Sequence, residues 1–141
     1  MEFIKSLGAD YAKDIEEVRD FVKEMFDGVY ASVVYAPKIA AFTLGLRILM
    51  RGGVFVAVGL PAASEGSISI SPMQLVGRDP VILGSAVGTV EEMRELVQLA
   101  ADGKVKTHIS RRGSLSEAGK MLEELEQMKY PGRAIITDMT K

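Results

Sequence analysis

Cysteine and tryptophan are absent from this sequence, and histidine occurs once. Without thiols there is no disulfide, iron–sulfur cluster, cysteine zinc site or thiol nucleophile. A single imidazole leaves only a carboxylate-rich metal site open, and no cluster of acids is spaced to make one. Charge of one sign is also lacking. Lys and Arg number 17 against 19 Asp and Glu, a formal net charge of −2, so steering toward nucleic acid is not expected. No apolar run approaches the roughly 18 residues of a membrane span. The start, MEFIKSLGADYAKD, lacks the basic region and apolar run of a signal peptide, so a cytoplasmic location is the expectation. What is present is globular in kind: 141 residues, 48% hydrophobic and 26% charged, with 14 Gly. That suffices for one domain with a sizeable core.

Glycine punctuates an alternation of short apolar strands with segments of one helix length, the pattern of a parallel α/β sheet. Residues 2–7 read as a helix ending at Gly8, and residues 9–12 as a short strand. Asp14-Ile-Glu-Glu17 is a capping box, and Val18, Phe21, Val22 and Met25 follow at the spacing of a buried helical face. Residues 29–35 form a β-branched and aromatic strand. Pro37 then opens a helix to about Met50 that is apolar nearly all round. Residues 54–58 read as the central parallel strand. From 59 to 79 the chain is rich in Gly, Pro and Ser, with only 67–70 alternating like an edge strand. Residues 81–84 form another short strand. Thr89-Val-Glu-Glu92 and Ser114-Leu-Ser-Glu117 repeat the capping box, each opening a helix, and 133–137 is the closing strand.

Short motifs with a clear mechanism are missing: no GxGxxG, P-loop, HExxH or GxSxG occurs. His108 lies in a basic stretch with no relay partner at a useful spacing. The pairs Glu16-Glu17, Glu91-Glu92 and Glu123-Glu124 suit helix solubility and helix N-termini. Arg111 and Arg112, with Lys104 and Lys106, make a modest solvated patch. Met25, Met93, Met121 and Met128 fall at or near helical positions suited to filling core space. No catalytic and no metal-ligating residue is assigned. Gly59, Leu60 and Pro61 stand out because they follow the strongest strand, where α/β sheets place ligands.

Taken in order, these segments resemble the second half of a medium-chain alcohol dehydrogenase of the zinc-dependent type. The likeness is carried by Leu7-Gly-Ala-Asp10, Gly52-Gly-Val-Phe-Val-Ala-Val-Gly-Leu-Pro61 and Gly84-Ser-Ala-Val-Gly-Thr89. Ala100-Ala-Asp-Gly-Lys-Val-Lys106 and Gly132-Arg-Ala-Ile-Ile136 complete it. The resemblance implies that residues 1–141 are a partial dinucleotide-binding domain, with a truncated Rossmann-like three-layer α/β fold and a mostly parallel open sheet. It implies that Val58, Gly59, Leu60 and Pro61 line the nicotinamide side of the cleft. Ser85, Ala86 and Val87 approach the carboxamide and help form a dimer edge. Ala36 and Pro37 lie near the cofactor, and Arg133 neutralises a pyrophosphate oxygen, a task that suits a guanidinium.

The family's zinc ligands come from a catalytic domain N-terminal to this region, and its glycine loop and ribose-binding acid lie on earlier strands; none is in this sequence. The expectation is therefore a chain with no zinc, no tightly held NAD or NADP and no dehydrogenase activity alone. It could alternatively be the C-terminal part of a split or longer NAD(P)-dependent enzyme, or a standalone binding or structural module. With two strands of the parent order 3-2-1-4-5-6 missing, residues 9–12 are expected to detach, pair elsewhere or move beside 29–35. Residues 54–58 should then lie between 29–35 and 133–137. A homodimer or higher homo-oligomer, or a separate N-terminal partner chain, is expected, with no nucleic-acid or membrane partner.

Overall fold

The computed structural model describes residues 1–139. The chain divides into two compact units, Met1–Val87 and Gly88–Lys141. The first contains α1 (Glu2–Ser6), α2 (Ile15–Phe26), β1 (Val29–Val34), α3 (Ile39–Arg47), β2 (Leu49–Ala57), a 3-10 turn (Ala63–Glu65), α4 (Pro72–Arg78) and β3 (Val81–Gly84). Its sheet has the order β1-β2-β3, and both pairings are parallel. The expected α/β class holds, and β2 is central as expected. Its core is Val34, Phe42, Leu49 and Phe55. Phe55 is fully buried, with the Phe42 ring 6.0 Å away. Helix α3 lies close on this face because residue 45 is glycine: a Cβ there would stand 2.7 Å from Ser32 Oγ and 2.8 Å from Val34 Cγ2.

Register puts Ser32, Phe55 and Ile82 on the face that α3 covers, and Val33, Val56 and Leu83 on the other. The second face stays largely open. Val33 and Leu83 are each 48% exposed and Val81 47%, which is unusual for a parallel sheet, normally covered on both sides. Helices α2, α3 and α4 carry Lys23, Arg47 and Arg78 in their last turns. Arg78 Nη1 donates to the carbonyl of Arg47, at the end of α3, over 2.9 Å. These cations compensate the negative helix ends.

The second unit contains α5 (Val90–Ala101), β4 (Ile109–Ser114), a 3-10 turn (Leu115–Glu117), α6 (Ala118–Glu126) and β5 (Arg133–Asp138). Strands β4 and β5 pair in parallel as a separate two-stranded sheet. Met121 is its buried apolar residue, and Tyr130 OH donates to the Met121 carbonyl at 3.0 Å. Arg111 bridges Glu117 (2.8 Å) and Glu124 (3.3 Å), and it also donates to the carbonyl of Arg112.

Several expectations are corrected. Residues 9–12 form no strand; Tyr11 instead packs on Phe21 and Phe26, with centroids 5.0 and 5.8 Å away, tying the segment to α2. The closing strand does not flank β2. That place belongs to β3, and β5 pairs with β4, a strand the sequence did not reveal. The helix expected over 37–50 stops at Arg47, because Leu49 already begins β2. Residues 67–70 are irregular, and α4 follows them. The Thr89 and Ser114 capping boxes form, but Asp14 makes no side-chain cap bond. The box at Ser114 opens a 3-10 turn before α6. Of the four methionines read as core, only Met121 is buried; Met25, Met93 and Met128 are 54%, 59% and 87% exposed. Arg111 is an ion-paired clamp rather than part of a solvated patch.

Candidate functional site

In a parallel sheet the strands end together, and their following loops gather at the carboxyl edge. Here Val34 O accepts from both Val58 N (3.0 Å) and Gly59 N (2.8 Å), and Ala57 O accepts from Ser85 N (2.9 Å). These bonds carry the ladder one step past the strands. They bring Ala36 and Pro37, Val58 to Pro61, and Ser85 to Val87 to one end of the sheet. Nine of the ten sequence-derived residues thus share that edge. Gly59 is pressed on its neighbour: a Cβ would lie 2.6 Å from the Tyr35 carbonyl oxygen and 2.7 Å from that of Ala36. Only glycine allows this approach of two backbones. Leu60 is 89% exposed and Val87 wholly so, and Val87 holds a positive φ of 45°, which a β-branched residue seldom adopts.

The tenth residue, Arg133, belongs to the second unit. Its amide donates to the His108 carbonyl at 2.9 Å. It lines a mainly apolar cleft of about 280 Å³ with Met121, Leu122, Leu125 and Ile136.

A feature not visible in the sequence joins two of the loops. Lys38 Nζ donates to Glu65 Oε1 at 2.5 Å. The Lys38 hydrogen bond, first, and then the Lys38 charge hold the Glu65 carboxyl below its usual range. The partners are 27 residues apart, so no local spacing announces them.

The opposite edge of the sheet has a polar cleft of about 520 Å³ lined by Arg19, Asp20, Lys23, Asp27, Arg47 and Arg78. Three of its cations are the helix-end residues described above, and Arg19 is paired with Asp20 at 2.8 Å. Its charge therefore serves the fold.

The residues present do not fit a catalytic zinc. The sequence has no Cys and one His. No group of three or more His, Cys, Asp and Glu side chains is placed to hold a metal among the described residues. For a dinucleotide, the carboxyl edge offers walls and the Gly59 close approach, while the sequence has no glycine-rich phosphate loop to go with them.

Comparison with known proteins supplies the chain's relatives. An alcohol dehydrogenase of Geobacillus stearothermophilus is 33% identical over 138 residues, covering 96% of this chain and 40% of that protein. One from Moraxella sp. is 30% identical with the same coverage. The crystal structure of the alcohol dehydrogenase from the archaeon Aeropyrum pernix superposes with a TM-score of 0.86 at 28% identity, over 96% of this chain and 39% of that one. The chain therefore spans about 40% of the length of the curated relatives it matches. A family model described as zinc-binding dehydrogenase matches residues 1–102. On that match, with its parallel α/β sheet, the chain belongs to the zinc-binding dehydrogenase family.

Proposed function

We propose that the chain is the C-terminal part of a dinucleotide-binding domain, binds NAD or NADP weakly, and has no dehydrogenase activity by itself. The observation that carries this reading is the carboxyl edge, where Gly59 lets the loops after β1 and β2 meet. The walls at Val58 to Pro61 and Ser85 to Val87 suit a flat ring with an amide edge. Arg133 is assigned to a pyrophosphate oxygen by the resemblance. The missing amide cradle and ribose acid each remove a hydrogen bond to a charged or polar group, roughly 1.5–3 kcal/mol apiece when charge-assisted, so binding should be millimolar or weaker. Calorimetric titration with NAD and NADP tests this. Micromolar binding would overturn it, and an Arg133→Ala variant losing less than His108→Ala would remove Arg133 from its role.

A second reading is favoured by the coverage of about 40% of the relatives: the chain is one part of a longer or split enzyme whose other part brings zinc, the glycine loop and the substrate. An adjacent reading frame encoding a glycine loop followed by a strand and an acid would support it. Self-association through the free edge of β3, where Val81, Ile82 and Leu83 are all exposed, and a cytoplasmic location belong to either reading.

A further inference from the structure

We propose that the Lys38–Glu65 ion pair is a latch: it fixes the loop between β2 and α4 over the start of α3, and so sets the spacing of the loops that follow β1 and β2 at the carboxyl edge. The inference rests on the cofactor reading for its purpose but on geometry for its existence. Helix α3 begins without a cap of its own, since its N-cap is Lys38 and no side chain caps it locally. Its first amides would be left without partners. Glu65, which comes from another element, is held beside that helix start by its bond to Lys38 Nζ. A carboxylate at a helix start also meets the positive end of the helix.

The loop carrying Glu65 has two other anchors. At one end, Gly59 is bonded to Val34 O at 2.8 Å and packed on the Tyr35–Ala36 backbone. At the other, Ile68 packs against the core of Val34, Phe42, Leu49 and Phe55. Between them, Leu60 contributes little, being 89% exposed. Glu65 is thus the middle anchor, and it ties the residues after Pro61 to the residue after Pro37. Those prolines stand on the two loops that meet at the carboxyl edge, so Glu65 is a positioning residue for both.

Hydrogen exchange of the full chain tests the latch without any ligand. Glu65→Gln should speed exchange of the Glu65 and Gly66 amides, which bond within their own turn, by about threefold to tenfold, the scale of a partly exposed charge-assisted bond. Glu126→Gln, at the end of α6 in the second unit, should not. Lys38→Met should repeat the effect and Lys38→Arg should largely preserve protection. Exchange within twofold of wild type in Glu65→Gln would overturn the latch, whatever the chain binds. With NADH as probe, Glu65→Gln should weaken binding by a similar factor. Faster exchange with unchanged NADH affinity would overturn the claim that the latch sets the spacing of the edge loops. Absence of NADH binding to the wild type would instead sink the cofactor reading and leave the exchange result to decide the latch.

Discussion

Glu117 shows how a single side chain can be worth more to its unit than its position suggests. Its carboxyl is held down to about 2, first by the hydrogen bond from Arg111 and then by the Ser114 amide. Because the folded value lies below the ordinary 4.5, the interaction contributes its full stability above the unfolded value. It is lost as pH falls from about 4.5 toward 2. Carboxyl NMR titration should place the Glu117 midpoint near 2 in the wild type and shift it upward in Arg111→Met; an unmoved midpoint would refute the assignment. Gly59 is the second decisive position. Replacing it with Ala inserts a methyl 2.6 Å from a carbonyl oxygen, and overpacking of this kind costs about 1–3 kcal/mol. Thermal unfolding of Gly59→Ala should show that loss, whereas Gly77→Ala, where a Cβ meets nothing within 4 Å, should not.

Among the longer helices, α5 depends heavily on its own ends. None of its residues is buried, and a helix of 12 residues without packing is marginal in water. Its cap is correspondingly important: Glu92 N donates to Thr89 Oγ1 at 3.2 Å and Thr89 N to Glu92 Oε2 at 2.6 Å. Thr89→Ala should cost about 1 kcal/mol of local stability, read as faster exchange of the amides of 92–95, while Thr107→Ala leaves them unchanged. What the sequence disclosed about elements follows from how local each signal is. The Thr89 box needs four consecutive residues, and Phe55 sits in an unbroken apolar run, so both were legible. Strand β4 was not, because Arg111, Arg112 and Gly113 have little strand character and gain it only from pairing with β5. Residues 9–12 misled in the opposite sense: of the four only Tyr11 favours a strand, and its ring packs on α2 instead. The candidate edge was readable because loops after parallel strands must converge, yet the bond that braces it joins Lys38 to Glu65 across 27 residues.

At the scale of the whole chain, the exposed area is 11,023 Å², whereas closed globules of the lengths of its two units would together expose roughly 8,600 Å². The difference is about three times the ~800 Å² that each partner contributes to a standard interface. Such an excess favours association, through another copy or through the remainder of a longer enzyme. Sedimentation equilibrium of the isolated chain at high micromolar concentration should show dimers or larger species; a sole 15.3 kDa component would count decisively against self-association.

The open face of the three-stranded sheet bears on how the fold state of this chain is judged. Dyes such as ANS report accessible apolar surface and are commonly taken as a mark of a molten globule. Val33, Val81 and Leu83, each about half exposed in the native chain, offer such surface without any loss of packing around Phe55. The folded protein should therefore fluoresce with ANS at neutral pH and still give sharp, dispersed NMR signals from its core. A reader of the dye alone would score a native molecule as a collapsed intermediate.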